Sequence, residues 1–170
     1  EITKEEAEKR AVELLTETGL PNPKERLANF PHQFSGGQLQ RICIALALAQ
    51  NCELLIADEP TTALDVTIQA QIVTLLLELK EKRGLSIIFI SHNINLVSEI
   101  SDRILVMYGG IVMECGTAEE ISSSAKNPYT QALLSASPEF GTHYTKGKLF
   151  SIPGRVTDPV TPEPGCPSRR

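Results

Sequence analysis

The sequence predicts an α/β fold with parallel core strands, a helical region ahead of them and a loop-rich extension behind. Three observations carry that prediction. Two short apolar runs, Leu54 to Ala57 and Leu85 to Ile90, are too short for helices and read as strands buried on both faces. Between them lies a helical pattern, and strand–helix–strand order calls for parallel pairing with a right-handed crossover. The chain has 170 residues, 41% hydrophobic and 22% charged, which suits a packed domain and is too apolar for a disordered segment. Residues 1–50 are expected to form a helical subdomain, 51–135 the α/β core and 136–170 a Pro/Gly-rich extension.

Each element has a local cause. Thr3 with Glu6 makes a capping box, and Ala7, Ala11, Leu14 and Leu15 recur at helical spacing before Gly19 stops the helix. Leu20 to Pro31 carries three prolines and reads as an irregular connector. Ser35-Gly36-Gly37 opens a second helix whose buried face is expected to hold Leu39, Ile42, Leu46 and Ala49. Asp65 can cap the helix after the first strand; Ile68, Ile72, Leu75, Leu76 and Leu79 form its apolar stripe, and Gly84 ends it. Asn93 to Ile100 reads as a short helix. Gly109-Gly110 between Ile104–Tyr108 and Ile111–Glu114 is a two-residue hairpin signal. Thr117 with Glu120 makes another capping box, Tyr129 to Ser135 a last short helix, and Pro and Gly become frequent from Pro138 on.

Composition narrows the function classes. The formal net charge is −5, which argues against an electrostatic nucleic-acid footprint. The longest uninterrupted apolar stretch, Ile42 to Ala49, falls far short of the roughly 18 residues a membrane helix needs. Four cysteines are present without a C-x-x-C pair, so reduced thiols are expected, with Cys43 and Cys115 as packing residues. The chain begins at Glu1 without a Met and is expected to be a piece of something longer.

Four places carry candidate chemistry. Asp58-Glu59 ends the first apolar strand, where ligands gather in open parallel sheets; an Asp there can support a nucleotide's magnesium and a neighbouring Glu can polarise an attacking water. The plainer alternative is a strand end with solvated acids. Ser35-Gly36-Gly37-Gln38 offers amides that approach a phosphate closely, a hydroxyl and a helix N-terminus; equally, Ser35 is an ordinary helix cap. His92 follows the second strand and can reach a γ-phosphate or a water beside it, or serve structure alone. Asp65, in Ala63-Leu64-Asp65, is at least a helix cap.

In this order and spacing the motifs resemble those of the ATP-binding cassette (ABC) ATPases. Phe34-Ser35-Gly36-Gly37-Gln38 resembles their signature, Leu54-Leu55-Ile56-Ala57-Asp58-Glu59 their Walker B strand, Ala63-Leu64-Asp65 their D-loop and His92 their switch histidine. Pro31-His32-Gln33, Asn127-Pro128-Tyr129-Thr130-Gln131-Ala132-Leu133-Leu134 and the Pro/Gly-rich tail are similar to the ATPase subunits of dipeptide and oligopeptide importers. The family usually has Leu where Phe34 stands and often Asp where Asn93 stands.

The resemblance implies part of a P-loop NTPase domain in which two subunits sandwich two ATPs with Mg2+. Ser35, Gly36, Gly37 and Gln38 would contact ATP held by the other subunit, and Asp65 would link the two sites. Asp58 would support magnesium, Glu59 would activate water and His92 would sense the γ-phosphate. Gly165-Cys166-Pro167 is similar to the opening of an extension that binds an iron–sulfur cluster through cysteines, making Cys166 a candidate ligand. The implied partners are a second ABC ATPase subunit, identical or paralogous, transmembrane permease subunits and, indirectly, an external peptide-binding protein. The implied place is the cytoplasmic face of the membrane. A soluble non-transport ABC ATPase, and a truncated remnant or dimerisation module, are the alternatives. The 170 residues hold no Gly-x-x-x-x-Gly-Lys-Ser/Thr phosphate loop, so the chain by itself is expected to be inactive.

Overall fold

The structure, a computed structural model, describes residues 2–136. Chain contacts divide it into two compact units, one ending at Ile90 and one beginning at Ser91.

The first unit opens with α1 (Lys4–Glu17), capped by Thr3 and Glu6 in the expected capping box, with Gly19 in the left-handed region at φ 73° just beyond its end. The connector expected to be irregular is partly ordered. It holds α2 (Pro23–Arg26) and a 3-10 turn (Pro31–Gln33), each with a proline in its first turn, where the missing N–H costs nothing. Next come α3 (Gly36–Leu48), β1 (Leu54–Asp58), α4 (Val66–Arg83) and β2 (Ser86–Ile90). β1 and β2 pair in parallel, Leu54 beside Ser86 through Asp58 beside Ile90, as the strand–helix–strand order predicts. α4 has its expected limits: Asp65 caps its start, and Gly84 closes it at φ 64°.

The core of this unit joins Leu14 of α1, Ile44, Ala45 and Leu48 of α3, Leu55 and Ala57 of β1, and Ile72, Leu75, Leu76 and Leu79 of α4. The α4 stripe matches its helical spacing. The face of α3 does not: Ile44, Ala45 and Leu48 are buried, while Leu46 is 69% exposed. Ile42 to Ala49 is apolar all round, so periodicity names no face, and packing against α1 and α4 selects it. The strands also depart from expectation. Only alternate residues of β1 are buried, and Ile56 is 61% exposed, because a single layer of helices covers the two-stranded sheet among the described residues. Cys43 and Cys115, expected as packing residues, are exposed; Cys43 lies on the side of α3 turned away from Ile44 and Leu48.

One ionic contact ties the ends of α1 and α4. Arg83 grips the Glu17 carboxylate with Nε (3.1 Å) and Nη2, and Lys82 Nζ lies 2.9 Å from Glu17 Oε1. The Arg83 hydrogen bonds, helped by Lys82, hold the Glu17 carboxyl at about 2 despite partial burial.

The second unit runs α5 (Ile94–Ile100), β3 (Arg103–Tyr108), β4 (Ile111–Thr117), α6 (Ala118–Ser124) and α7 (Pro128–Ala136). β3 and β4 form the expected antiparallel hairpin, with Gly109 and Gly110 both at positive φ (57° and 78°) and a bulge at Val106/Met107. Ile94, Ile104, Val106 and Ile121 make its core, with Tyr129, Leu133 and Leu134 packed against them. Glu114 accepts the backbone N–H groups of Lys126 and Asn127, and Asn127 Oδ1 accepts that of Tyr129, which sets the entry to α7. No helix among the described residues is long and apolar enough to cross a membrane. The Pro/Gly-rich region from Pro138 on, with Cys166, lies outside the described residues.

Candidate functional site

The start of α3 is built by its own sequence. Ser35 sits in extended backbone as the cap (φ −70°, ψ 162°), and its hydroxyl accepts the Gln38 N–H at 3.3 Å. Gln38 replies with Oε1, which accepts the Ser35 N–H at 3.1 Å. This leaves the Ser35 hydroxyl proton able to donate outward while its oxygen stays engaged. Ser35 and Gly36 are exposed; Gly37 is buried.

Gly37 has a packing cause that the sequence does not show, and Gly36 also lies close to a neighbour. A Cβ at Gly37 would stand 2.5 Å from Ile68 Cγ2 of α4, and one at Gly36 would stand 3.2 Å from Leu64 Cδ2. The start of α3 therefore lies directly against residues on either side of Asp65. Asp65 itself caps α4 through Oδ1, 3.0 Å from the Ile68 N–H, so its capping role is present.

Asp58 is the last residue of β1 and is exposed. Glu59 then takes a left-handed backbone (φ 46°), and its N–H donates to Ile90 O at 3.0 Å. A non-glycine residue pays conformational energy in this region, about 1 kcal/mol, and such residues cluster at functional sites. Thr62 Oγ1 donates to Glu59 Oε2 at 2.7 Å, and the Thr62 N–H donates to Glu59 O at 3.1 Å. The carboxylate is thus held within its own turn, and Ala63 at φ 61° carries the chain round to Asp65. Thr62 was not singled out from sequence, although its place three residues after the acid is the available signal.

His92, in the second unit, is exposed. The turn around it is fixed: the Asn93 N–H donates to Ser91 Oγ at 3.2 Å, and Asn93 Oδ1 caps α5 through the Leu96 N–H at 3.2 Å. Asn93, a departure from the resembling pattern, therefore has a structural use. Among the described residues no three His, Cys, Asp or Glu side chains gather into a metal site.

Residues 1–62 match the ABC transporter family, and residues 113–169 match the oligopeptide/dipeptide transporter C-terminal region. The chain is 51% identical over 164 residues to the oligopeptide transport ATP-binding protein OppD of Bacillus subtilis, an alignment covering 96% of this chain and 46% of that protein. The chain thus matches the ABC transporter family over its first 62 residues. The chain is also 51% identical over 157 residues to the dipeptide transport ATP-binding protein DppD of Escherichia coli, covering 92% of the chain and 47% of that relative. It spans about half the length of the curated relatives it matches. Among solved structures it is similar to a dimeric ATP-binding cassette in a post-hydrolysis state with ADP and Pi (TM-score 0.59, 38% identity, 69% of this chain and 50% of that one). It is also similar to cbiO1 of Clostridium perfringens, part of the ABC transporter complex cbiONQ (TM-score 0.64, 32% identity, 73% and 48%). The α/β reading with parallel strands holds for this chain.

Proposed function

We propose that the chain is part of the ATP-binding subunit of a peptide importer, working peripherally at the cytoplasmic face of the membrane. The observation that carries this reading is the junction between the α3 start and the β1–α4 turn. Exposed Gly36, next to exposed Ser35, abuts Leu64, beside Asp65, and the same turn holds Glu59 in a left-handed backbone. A phosphate meeting this helix start would find backbone N–H groups, a hydroxyl proton and the positive end of a helix dipole. The family's dimeric arrangement supplies that phosphate from a nucleotide held by a second subunit. OppD and DppD, named as oligopeptide and dipeptide transport proteins, and the match at residues 113–169 support the peptide class.

In this reading Ser35, Gly36, Gly37 and Gln38 bind the facing nucleotide, Asp65 links the two sites, and His92 senses the γ-phosphate. Asp58, an exposed oxygen donor at a strand end, fits a magnesium ion, which supplies charge neutralisation across the phosphates when bound. Glu59 accepts a proton from the attacking water, with Thr62 holding one of its oxygens. The working assembly contains a second ABC subunit, permease subunits and an external peptide-binding protein. The 170 residues by themselves do not bind ATP tightly, since no phosphate loop stands among them to offset Asp58 and Glu59; micromolar affinity in calorimetry would refute this.

The test is Glu59→Gln in the complete subunit. Hydrolysis should fall by at least about 100-fold, the typical contribution of a general base, while ATP binding persists. Unaltered turnover would remove Glu59 from the role.

A further inference from the structure

Arg26, the last residue of α2, stands over the start of α3. Its Nη1 donates to Gln38 Oε1 at 3.3 Å, and its Cζ lies 5.8 Å from the centre of the Phe34 ring, within cation–π reach. The same Gln38 oxygen accepts the Ser35 N–H at 3.1 Å. One guanidinium thus braces the residue before Ser35 and the amide that closes the Ser35 cap.

The choice of Gln at this position gives the brace its meaning. Glu closes a capping box as well as Gln does, and suits the helix dipole better. A carboxylate here would place negative charge beside amides that meet a phosphate. A neutral amide avoids that charge but accepts hydrogen bonds less strongly. Arg26 restores the order with a positive charge on the same oxygen.

We propose that Arg26 is a positioning residue for ATP hydrolysis: through Gln38 and Phe34 it fixes the Ser35 cap in the geometry that engages the nucleotide of the facing subunit. The inference rests on the reading above, in which Ser35 to Gln38 act across the dimer. Arg26 then has no contact with the ATP held in its own subunit. Its loss lowers turnover and spares binding.

The experiment uses the complete subunit in its ATPase dimer and compares Arg26→Ala, Arg26→Lys, Gln38→Glu and Ser35→Ala, reading kcat, KM for ATP and Tm. Arg26→Ala should lower kcat about tenfold, the scale of one charge-assisted hydrogen bond, with KM within about twofold. Arg26→Lys, which keeps a donor and a charge, should recover part of that loss. Gln38→Glu should gain an ion pair to Arg26 and raise Tm, yet lower kcat; a purely structural brace would not give opposite signs. If Ser35→Ala lowers kcat while both Arg26 variants match the parent, the proposal is overturned and the trans reading survives. If Ser35→Ala also matches the parent, the trans reading itself fails. Should Arg26→Ala not fold, Arg26→Gln, which keeps a long polar side chain but loses the charge, decides: parental kcat in that variant overturns the proposal.

Discussion

Replacing Gly37 by Ala tests how the start of α3 is held. The added methyl would sit 2.5 Å from Ile68 Cγ2, where carbon atoms ordinarily stay about 3.5–4.0 Å apart, so about 1 Å of relief is required. Ile68 is β-branched and stiff at χ1, so the obstacle cannot swing away as the end of a long side chain would. Overpacking of this kind costs about 1–3 kcal/mol. Ala gains back up to about 1 kcal/mol of helix propensity over Gly, and less than that in a first turn. The net expectation is a loss of about 0.5–2 kcal/mol, read as a lower urea midpoint with an unchanged m-value. Ile68→Ala removes the obstructing methyl. The double variant should therefore be more stable than the two separate losses add up to, by about 1 kcal/mol or more. A neutral or stabilising Gly37→Ala would refute the tight α3–α4 contact. An additive double variant would show that Ile68 is not the obstacle.

Other expectations follow from single contacts. Glu17, held at about 2 in the fold against its ordinary 4.5, contributes its full stability above about pH 4.5 and loses it as the pH falls toward 2. With Lys82 two-thirds exposed and screened, the contribution is about 1–2 kcal/mol. The urea-midpoint gap between parent and Glu17→Gln should be present at neutral pH and close in acid; a gap that does not change with pH would rule this out. Asn93→Ala removes the α5 cap and should cost about 0.5–2 kcal/mol, visible as faster amide exchange at Leu96. Gly110→Ala meets no atom within 4 Å, so its expected loss of about 1 kcal/mol would come from backbone strain at φ 78° alone; an unchanged Tm would contradict that cause.

The parts of this fold legible in the sequence are those fixed by chemistry within a few residues. Thr3 with Glu6, Ser35 with Gln38, and Thr117 with Glu120 close their capping boxes through local hydrogen bonds, and Gly109-Gly110 sets a hairpin by its own allowed φ values. The α4 stripe was legible because Ile68, Ile72, Leu75, Leu76 and Leu79 recur at helical spacing. The α3 face was not, because Ile42 to Ala49 offers apolar atoms in every direction and the packing of the rest of the core, Leu14 and the α4 stripe included, selects among them. Burial of β1 was overestimated for a related reason: Ile56 is apolar in sequence, but its exposure depends on what covers its face of the sheet. In the candidate site, the cap at Ser35 and the acids after β1 stood out, whereas Arg26 did not. It lies twelve positions from Gln38 across a proline-containing connector, with no periodicity to mark it.

The contact of Gly36 and Gly37 with Leu64 and Ile68 separates two uses of one motif. Gly37 is buried, and its missing side chain is explained by Ile68 alone, without any ligand. Gly36 is exposed, as is Ser35, so the chemistry facing outward falls to these two and to the amides of the helix start. Leu64 and Ile68 flank Asp65, whose carboxylate is tied to the Ile68 N–H. Packed interiors yield little to displacement. Under the proposed function, a phosphate drawn against Ser35 and Gly36 therefore cannot shift α3 without pressing on the residues that position Asp65. The packing that requires Gly37 is thus a mechanical path from the signature to the residue proposed to join the two nucleotide sites. Relieving it through Ile68→Ala should loosen that path while leaving the Ser35 cap in place.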